Sequence, residues 1–133
     1  METAPARTVS HYRILAKLGA GGMGEVYLAE DTALGRNVAL KLLPDALASD
    51  ESAARHLIRE AQAAAQLDHP NICSIYEAGE DAGCCFIAMQ LIEGQPLSDR
   101  LAARPLPPQD VLEIASQVAD ALGEAHRDRK SVV

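Results

Sequence analysis

Four glycines fall within six residues in the run Gly19-Ala20-Gly21-Gly22-Met23-Gly24-Glu25-Val26, which fits the pattern G-x-G-x-x-G-x-V. Glycine is needed where backbone turns with positive φ or comes close to a phosphate. The residues after Gly24 alternate like a strand and do not open a helix. This disfavours a dinucleotide-binding unit and favours a hairpin folded over a nucleotide; a bare flexible turn is the alternative. On the next apolar run, Val38-Ala39-Leu40-Lys41, Lys41 points opposite to Leu40 and Leu42. Alone, such a lysine is a solvated edge charge. Behind a glycine-rich hairpin its cation can neutralise α- and β-phosphate oxygens. A half-buried ammonium also needs an anion. Glu60, in Ile58-Arg59-Glu60-Ala61, lies beside the apolar stripe of Leu57, Ala61 and Ala64 and can supply one. Its other reading is a surface carboxylate paired with Arg55 or Arg59.

The elements that must position these groups follow from the pattern of apolar runs. Residues 1–10 read as a flexible tail. Tyr12–Leu18, Glu25–Glu30 and Val38–Leu43 read as three strands of an antiparallel meander, with Gly19–Gly24 as an irregular turn. Ser49–Leu67 reads as a helix, with Ser49 as N-cap and Asp50 and Glu51 complementing its positive start. Ile72–Ala78 and Cys84–Leu91 read as two more strands. Leu97–Ala103 is expected to be a short helix and Asp110–His126 a longer one, separated by the three prolines of Arg104–Pro108.

Composition narrows the partners. The chain has 133 residues, 48 % of them hydrophobic but only 3 % aromatic, so its core must be largely aliphatic. A formal net charge of −7 argues against nonspecific nucleic-acid binding, which needs a basic surface. No apolar run reaches the roughly 18 residues of a membrane span. METAPARTVS at the start lacks the apolar stretch of a signal peptide. Cys73, Cys84 and Cys85 form no disulfide framework and suggest reduced thiols and a cytoplasmic setting.

Taken in order, the glycine loop followed by Glu-Val-Tyr-Leu-Ala, Val-Ala-Leu-Lys, Arg-Glu-Ala and His69-Pro70-Asn71-Ile72 resemble the protein kinases, specifically the eukaryotic-like Ser/Thr kinases of bacteria. The resemblance runs from residue 11 to about residue 127. It implies an α+β fold: a kinase N-lobe over 11–92, with a five-stranded antiparallel sheet and one helix, then hinge and first C-lobe helices over 93–127. It implies an ATP site. Leu18, Val26 and Ala39 would roof the adenine pocket, and Gly19, Gly21 and Gly24 would cover the phosphates. Lys41 would grip them, with Glu60 as its partner across the nucleotide cleft, in contact or apart if the helix swings out. Met89 would be the gatekeeper, and Gln90 and Ile92 would offer backbone C=O and N–H to adenine. ATP and Mg²⁺ would be the cofactors and a Ser/Thr-bearing protein the substrate.

The pattern then departs. No D-F-G and no A-P-E occurs, so the Mg²⁺ ligands and activation segment are missing. His126-Arg127-Asp128 imitates the start of a catalytic loop, yet Ala125-His126 matches the family's helix end. Val133 also stands where an Asn ligand is required. Asp128 is therefore rejected as catalytic base. Residues 128–133 resemble one frame of a sequencing adapter and are expected to be non-native. The chain is expected to be a kinase fragment, inactive alone and weak or undetectable in ATP binding. The alternatives are a non-catalytic nucleotide-binding or regulatory module, or a gene fragment without function.

Overall fold

The computed structural model describes residues 7–21, 24–44 and 50–132, with side chains as far as Arg127. The elements are β1 (Thr8–Val9), β2 (Tyr12–Gly21), β3 (Gly24–Asp31), β4 (Arg36–Leu42), α1 (Glu51–Ala64), β5 (Ile75–Asp81), β6 (Cys84–Met89), α2 (Leu97–Ala103) and α3 (Pro108–Val132). They divide into two compact units. One comprises the chain through Gln66 together with Ser74–Leu91, and the other Leu67–Cys73 with Ile92–Val133.

The first unit is an antiparallel sheet in the order β1-β2-β3-β4-β6-β5. Alternation along the strands decides its two faces. One face buries Val9, Tyr12, Ala29, Val38, Leu40, Leu42, Phe86 and Ala88. On the other, Leu43 and Cys85 pack with Ala54 of α1, joined by Leu57, Ile58 and Ile87. Burial also pushes the Cys85 thiol above its ordinary range.

The sheet has six strands where the sequence led us to expect five. The extra strand is Thr8–Val9, within the stretch read as a tail. Val9 is 3 % exposed and pairs with Tyr12, so a single apolar side chain in the core is enough to hold it. The sheet curls until its two ends meet. The Tyr12 hydroxyl of β2 donates to Glu77 Oε1 of β5 at 2.6 Å, and the Ser10 N–H donates to Asp81 Oδ2 at 2.8 Å. Burial, then the Glu77 hydrogen bond, pushes the Tyr12 hydroxyl well above its ordinary pKa.

Turn chemistry fixes the register. Asp31, itself buried, accepts from the N–H groups of Ala33 and Leu34 and so shapes the β3–β4 turn. Ala82 and Gly83 both take positive φ between Asp81 and Cys84, the two-residue turn whose twist suits a hairpin. Helix α1 begins two residues later and ends three earlier than the 49–67 pattern suggested. Its N-cap is Asp50, which accepts from Ser52 N–H and Ala53 N–H at 3.1 Å each; Ser49 lies outside the described residues.

In the second unit, His69 and Asn71 organise the loop after α1. Asn71 N–H donates to His69 Nδ1, and Asn71 Nδ2 donates to the Gln117 carbonyl of α3 at 3.3 Å. Arg100 of α2 bonds Asp110 of α3 at 3.1 Å. Arg127 sits 2.6 Å from Glu124 and holds its carboxyl below the usual range. Helix α2 has the expected bounds. Helix α3 is longer than Asp110–His126 at both ends: Pro108 is preorganised for the first turn, and the backbone stays helical to Val132. No helix among the described residues is long and apolar enough to cross a membrane.

Candidate nucleotide site

The β2–β3–β4–β6 ladders place the glycine hairpin and the lysine in one row. Gly19 pairs with Val26, Val26 with Lys41, and Lys41 with Ile87. Residues paired across an antiparallel ladder share a face, and Ile87 packs with the α1 cluster. Lys41 therefore projects on the α1 side, between the apolar side chains of Val26 and Ile87. The next row reads Leu28, Ala39, Met89 and Ile75. Val26, Ala39, Lys41 and Met89 are thus brought onto one surface, with Ala39 buried and the other three half-buried. Leu18 falls at the irregularity between Lys17 and Gly19 and is 52 % exposed. Ile92 belongs to the second unit and is exposed.

The glycines do not all serve the same purpose. The expected irregular turn is shorter than Gly19–Gly24, because β2 runs through Gly21 and β3 starts at Gly24, with Gly21 and Gly24 paired. Gly24 has φ of +114°, and a β-carbon there would collide with the Leu42 carbonyl oxygen. At Gly19 φ is not positive and a β-carbon would meet nothing within 4 Å. The fold requires glycine at 24. It does not require it at 19, where the bare backbone leaves open space on the row that carries Lys41.

The outer side of the hairpin holds an arrangement the sequence reading missed. Glu25 accepts from the Tyr27 hydroxyl and lies 3.4 Å from Lys17 Nζ. The Tyr27 bond, then Lys17, lowers the Glu25 carboxyl, and Glu25 in turn raises the Tyr27 hydroxyl. Glu25 and Tyr27 are two apart on a strand and so share a face, which was the available signal.

Lys41 and Glu60 are not paired in this structure. Among the described residues no carboxylate comes within ion-pair distance of Lys41. Glu60 lies about 110° round the helix from the centre of the stripe formed by Ala54, Leu57, Ile58 and Ala61. It is exposed, and its neighbour is His56 at 3.9 Å, neither Lys41 nor the Arg55 or Arg59 of the alternative reading. Gln90, just past β6, donates its backbone N–H to Ser74 O at 2.8 Å, and its side-chain Oε1 accepts from Ser74 N–H at 3.2 Å. The side chain of Asp128 lies outside the described residues. Among those described, no group of three His, Cys, Asp or Glu residues could hold a metal ion.

Comparison with known proteins agrees with this geometry. Residues 12–133 match the protein kinase domain family. The chain is 44 % identical over 124 residues to the serine/threonine-protein kinase PrkC of Bacillus subtilis, covering 92 % of this chain and 19 % of that protein. It is 40 % identical over 131 residues to the serine/threonine-protein kinase PknB of Mycobacterium leprae, covering 95 % of this chain and 21 % of the relative. The crystal structure of the Mycobacterium tuberculosis PknI kinase domain, C20A mutant, superposes with a TM-score of 0.81 at 37 % identity. That match covers 96 % of this chain and 53 % of the other. The chain spans about a fifth of the length of the curated relatives it matches.

Proposed function

Because the chain belongs to the protein kinase domain family, we propose that it is the ATP-gripping lobe of an enzyme that transfers the γ-phosphoryl group of ATP to Ser or Thr of proteins. The observation that carries this reading is Lys41. Its residue is half-buried in the row between Val26 and Ile87, no carboxylate among the described residues lies within ion-pair distance, and it shares that row with a glycine the fold does not need. A cation kept partly from water without an anion is costly, and a phosphate at the open side of Gly19 would offset that cost.

In this reading Gly19 and Gly21 let backbone approach the phosphates, and Gly24 turns the hairpin. Lys41 neutralises α- and β-phosphate oxygens. Val26, Ala39 and Met89, with Leu18 at the rim, give the purine an apolar surface, while Gln90 offers a backbone polar group to its edge. Glu60 must leave His56 for Lys41, which requires α1 to turn. The Mg²⁺ that the family uses would be held by residues outside this stretch, and with them the group that accepts the substrate hydroxyl proton.

The test is transfer from γ-labelled ATP to a Ser/Thr protein substrate. It uses a chain that also carries the segments its relatives have beyond this stretch. Lys41→Met should abolish transfer and leave the melting temperature within a few degrees of wild type. Undiminished transfer by that variant would contradict the reading.

A further inference from the structure

We infer that Ser10 is a phosphoryl acceptor, its hydroxyl held by a His11 imidazole that two carboxylates orient, and that phosphate there opens the closed end of the sheet. The inference deepens the kinase reading above, naming one substrate of that activity, and rests on it. Ser10 is exposed in the two-residue turn between β1 and β2, at φ of +54°. Its Oγ lies 3.2 Å from His11 Nδ1. The other ring nitrogen, His11 Nε2, lies 3.5 Å from Asp31 Oδ1 and 3.6 Å from Glu77 Oε1. Two carboxylate acceptors on that side keep the ring proton on Nε2, which leaves Nδ1 to accept from the Ser10 hydroxyl. A hydroxyl backed by an imidazole that is itself backed by a carboxylate is the arrangement that readies an alcohol for attack. Among the described residues the other serines stand on helices at Ser52, Ser98 and Ser116, or beside the β5–β6 ladder at Ser74.

In the transfer, Ser10 Oγ attacks the γ-phosphorus of ATP. The new Oγ–P bond forms as the bond from phosphorus to the β,γ-bridging oxygen breaks, ADP leaves with that electron pair, and the hydroxyl proton passes to His11 Nδ1. The ten residues of β2 separate this turn from the glycine hairpin, a span on the order of 30 Å at the strand rise. The ATP is therefore held by a second kinase molecule. The product bears on the fold. The Ser10 N–H donates to Asp81 at 2.8 Å and the Tyr12 hydroxyl to Glu77 at 2.6 Å, the two bonds that join the ends of the sheet. A phosphate adds roughly −1.5 to −2 charge beside both carboxylates and repels them.

The experiment mixes the 133-residue chain with Mg·ATP and an active chain that also carries the segments its relatives have beyond this stretch, and maps phosphate by mass spectrometry. An unrelated Ser/Thr protein substrate runs in parallel. Ser10 should be phosphorylated in wild type, and Ser10→Ala should lose that phosphate. His11→Phe keeps a ring against Tyr12, where the centroids are 4.2 Å apart, and removes both nitrogens. It should slow transfer to Ser10 at least about tenfold and leave transfer to the unrelated substrate unchanged. The phosphorylated chain should melt several degrees below the unmodified one. Long-range ¹H–¹⁵N correlation on the unmodified chain should place the His11 ring proton on Nε2, a readout that needs neither a variant nor the enzyme. A proton on Nδ1, an undiminished rate in His11→Phe, or an unchanged melt after phosphorylation would each overturn the inference. So would an unmodified Ser10 while the unrelated substrate is phosphorylated, and that outcome leaves the kinase reading standing. Transfer to neither protein would overturn both.

Discussion

Gly24 lies so close to the carbonyl of Leu42 that no side chain fits between them, and its φ of +114° is one that L-residues rarely adopt. Gly19, paired to Val26 at the far side of the same hairpin, has neither restriction. The two positions therefore separate folding from ligand binding. Gly24→Ala should destabilise the chain by at least the roughly 1–3 kcal/mol of a strained backbone position. Gly19→Ala should leave stability within about 1 kcal/mol of wild type, with reduced chain freedom in the unfolded state working in its favour. It should nevertheless weaken nucleotide binding. Denaturant melts of both variants check the first half, and ATP titration of Gly19→Ala the second.

Tyr12 and Glu77 make one of the two hydrogen bonds that close the sheet, beside Ser10 and Asp81. Tyr12→Phe keeps the ring and its edge contact with Phe86 at a centroid distance of 5.6 Å, and removes the 2.6 Å hydrogen bond. The expected cost is about 1 kcal/mol, a drop of several degrees in melting temperature for a chain of this size. The same hydroxyl gives an alkaline signature. Its pKa is raised in the folded state, so the unfolded chain loses the proton first. The contribution of this hydroxyl should be complete below about pH 10 and fall as pH rises above it. The added alkaline loss should be absent in Tyr12→Phe.

Helix α1 carries Glu60, and its start depends on Asp50, which accepts from two backbone N–H groups. Asp50→Ala should cost about 1 kcal/mol, and Asp50→Ser much less. Equal melts for all three chains would show that the cap does not hold the helix.

The glycine hairpin and the strand that carries Lys41 were legible in the sequence because both are marked locally. The glycines stand in a fixed pattern, and Lys41 is the charged residue in an apolar strand. The rows that join Gly19, Val26, Lys41 and Ile87 became visible only with the ladder registers, which bulges at Ile14/Ala16 and Lys17/Gly19 shift in ways that counting by twos misses. Strand β1 escaped notice because its two residues have no periodicity of their own; they are held by Tyr12, which is itself tied to Glu77 sixty-five residues on. The Asn71–Gln117 bond spans forty-six residues and was equally hidden. Glu60 was read as lying beside the helix stripe but sits about 110° from its centre, and its i−4 neighbour His56 was passed over as a partner in favour of two arginines.

The most direct measurement is a ¹H–¹⁵N NMR titration of the 133-residue chain with ATP, repeated on Lys41→Met. The account predicts binding that is weak, roughly millimolar, because no group of His, Cys, Asp or Glu among the described residues gathers to hold a metal ion against the triphosphate. The shifts should concentrate at Gly19, Ala20, Gly24, Val26, Lys41 and Gln90 and vanish in the variant. Shifts confined to other surfaces, or unchanged in Lys41→Met, would contradict the account.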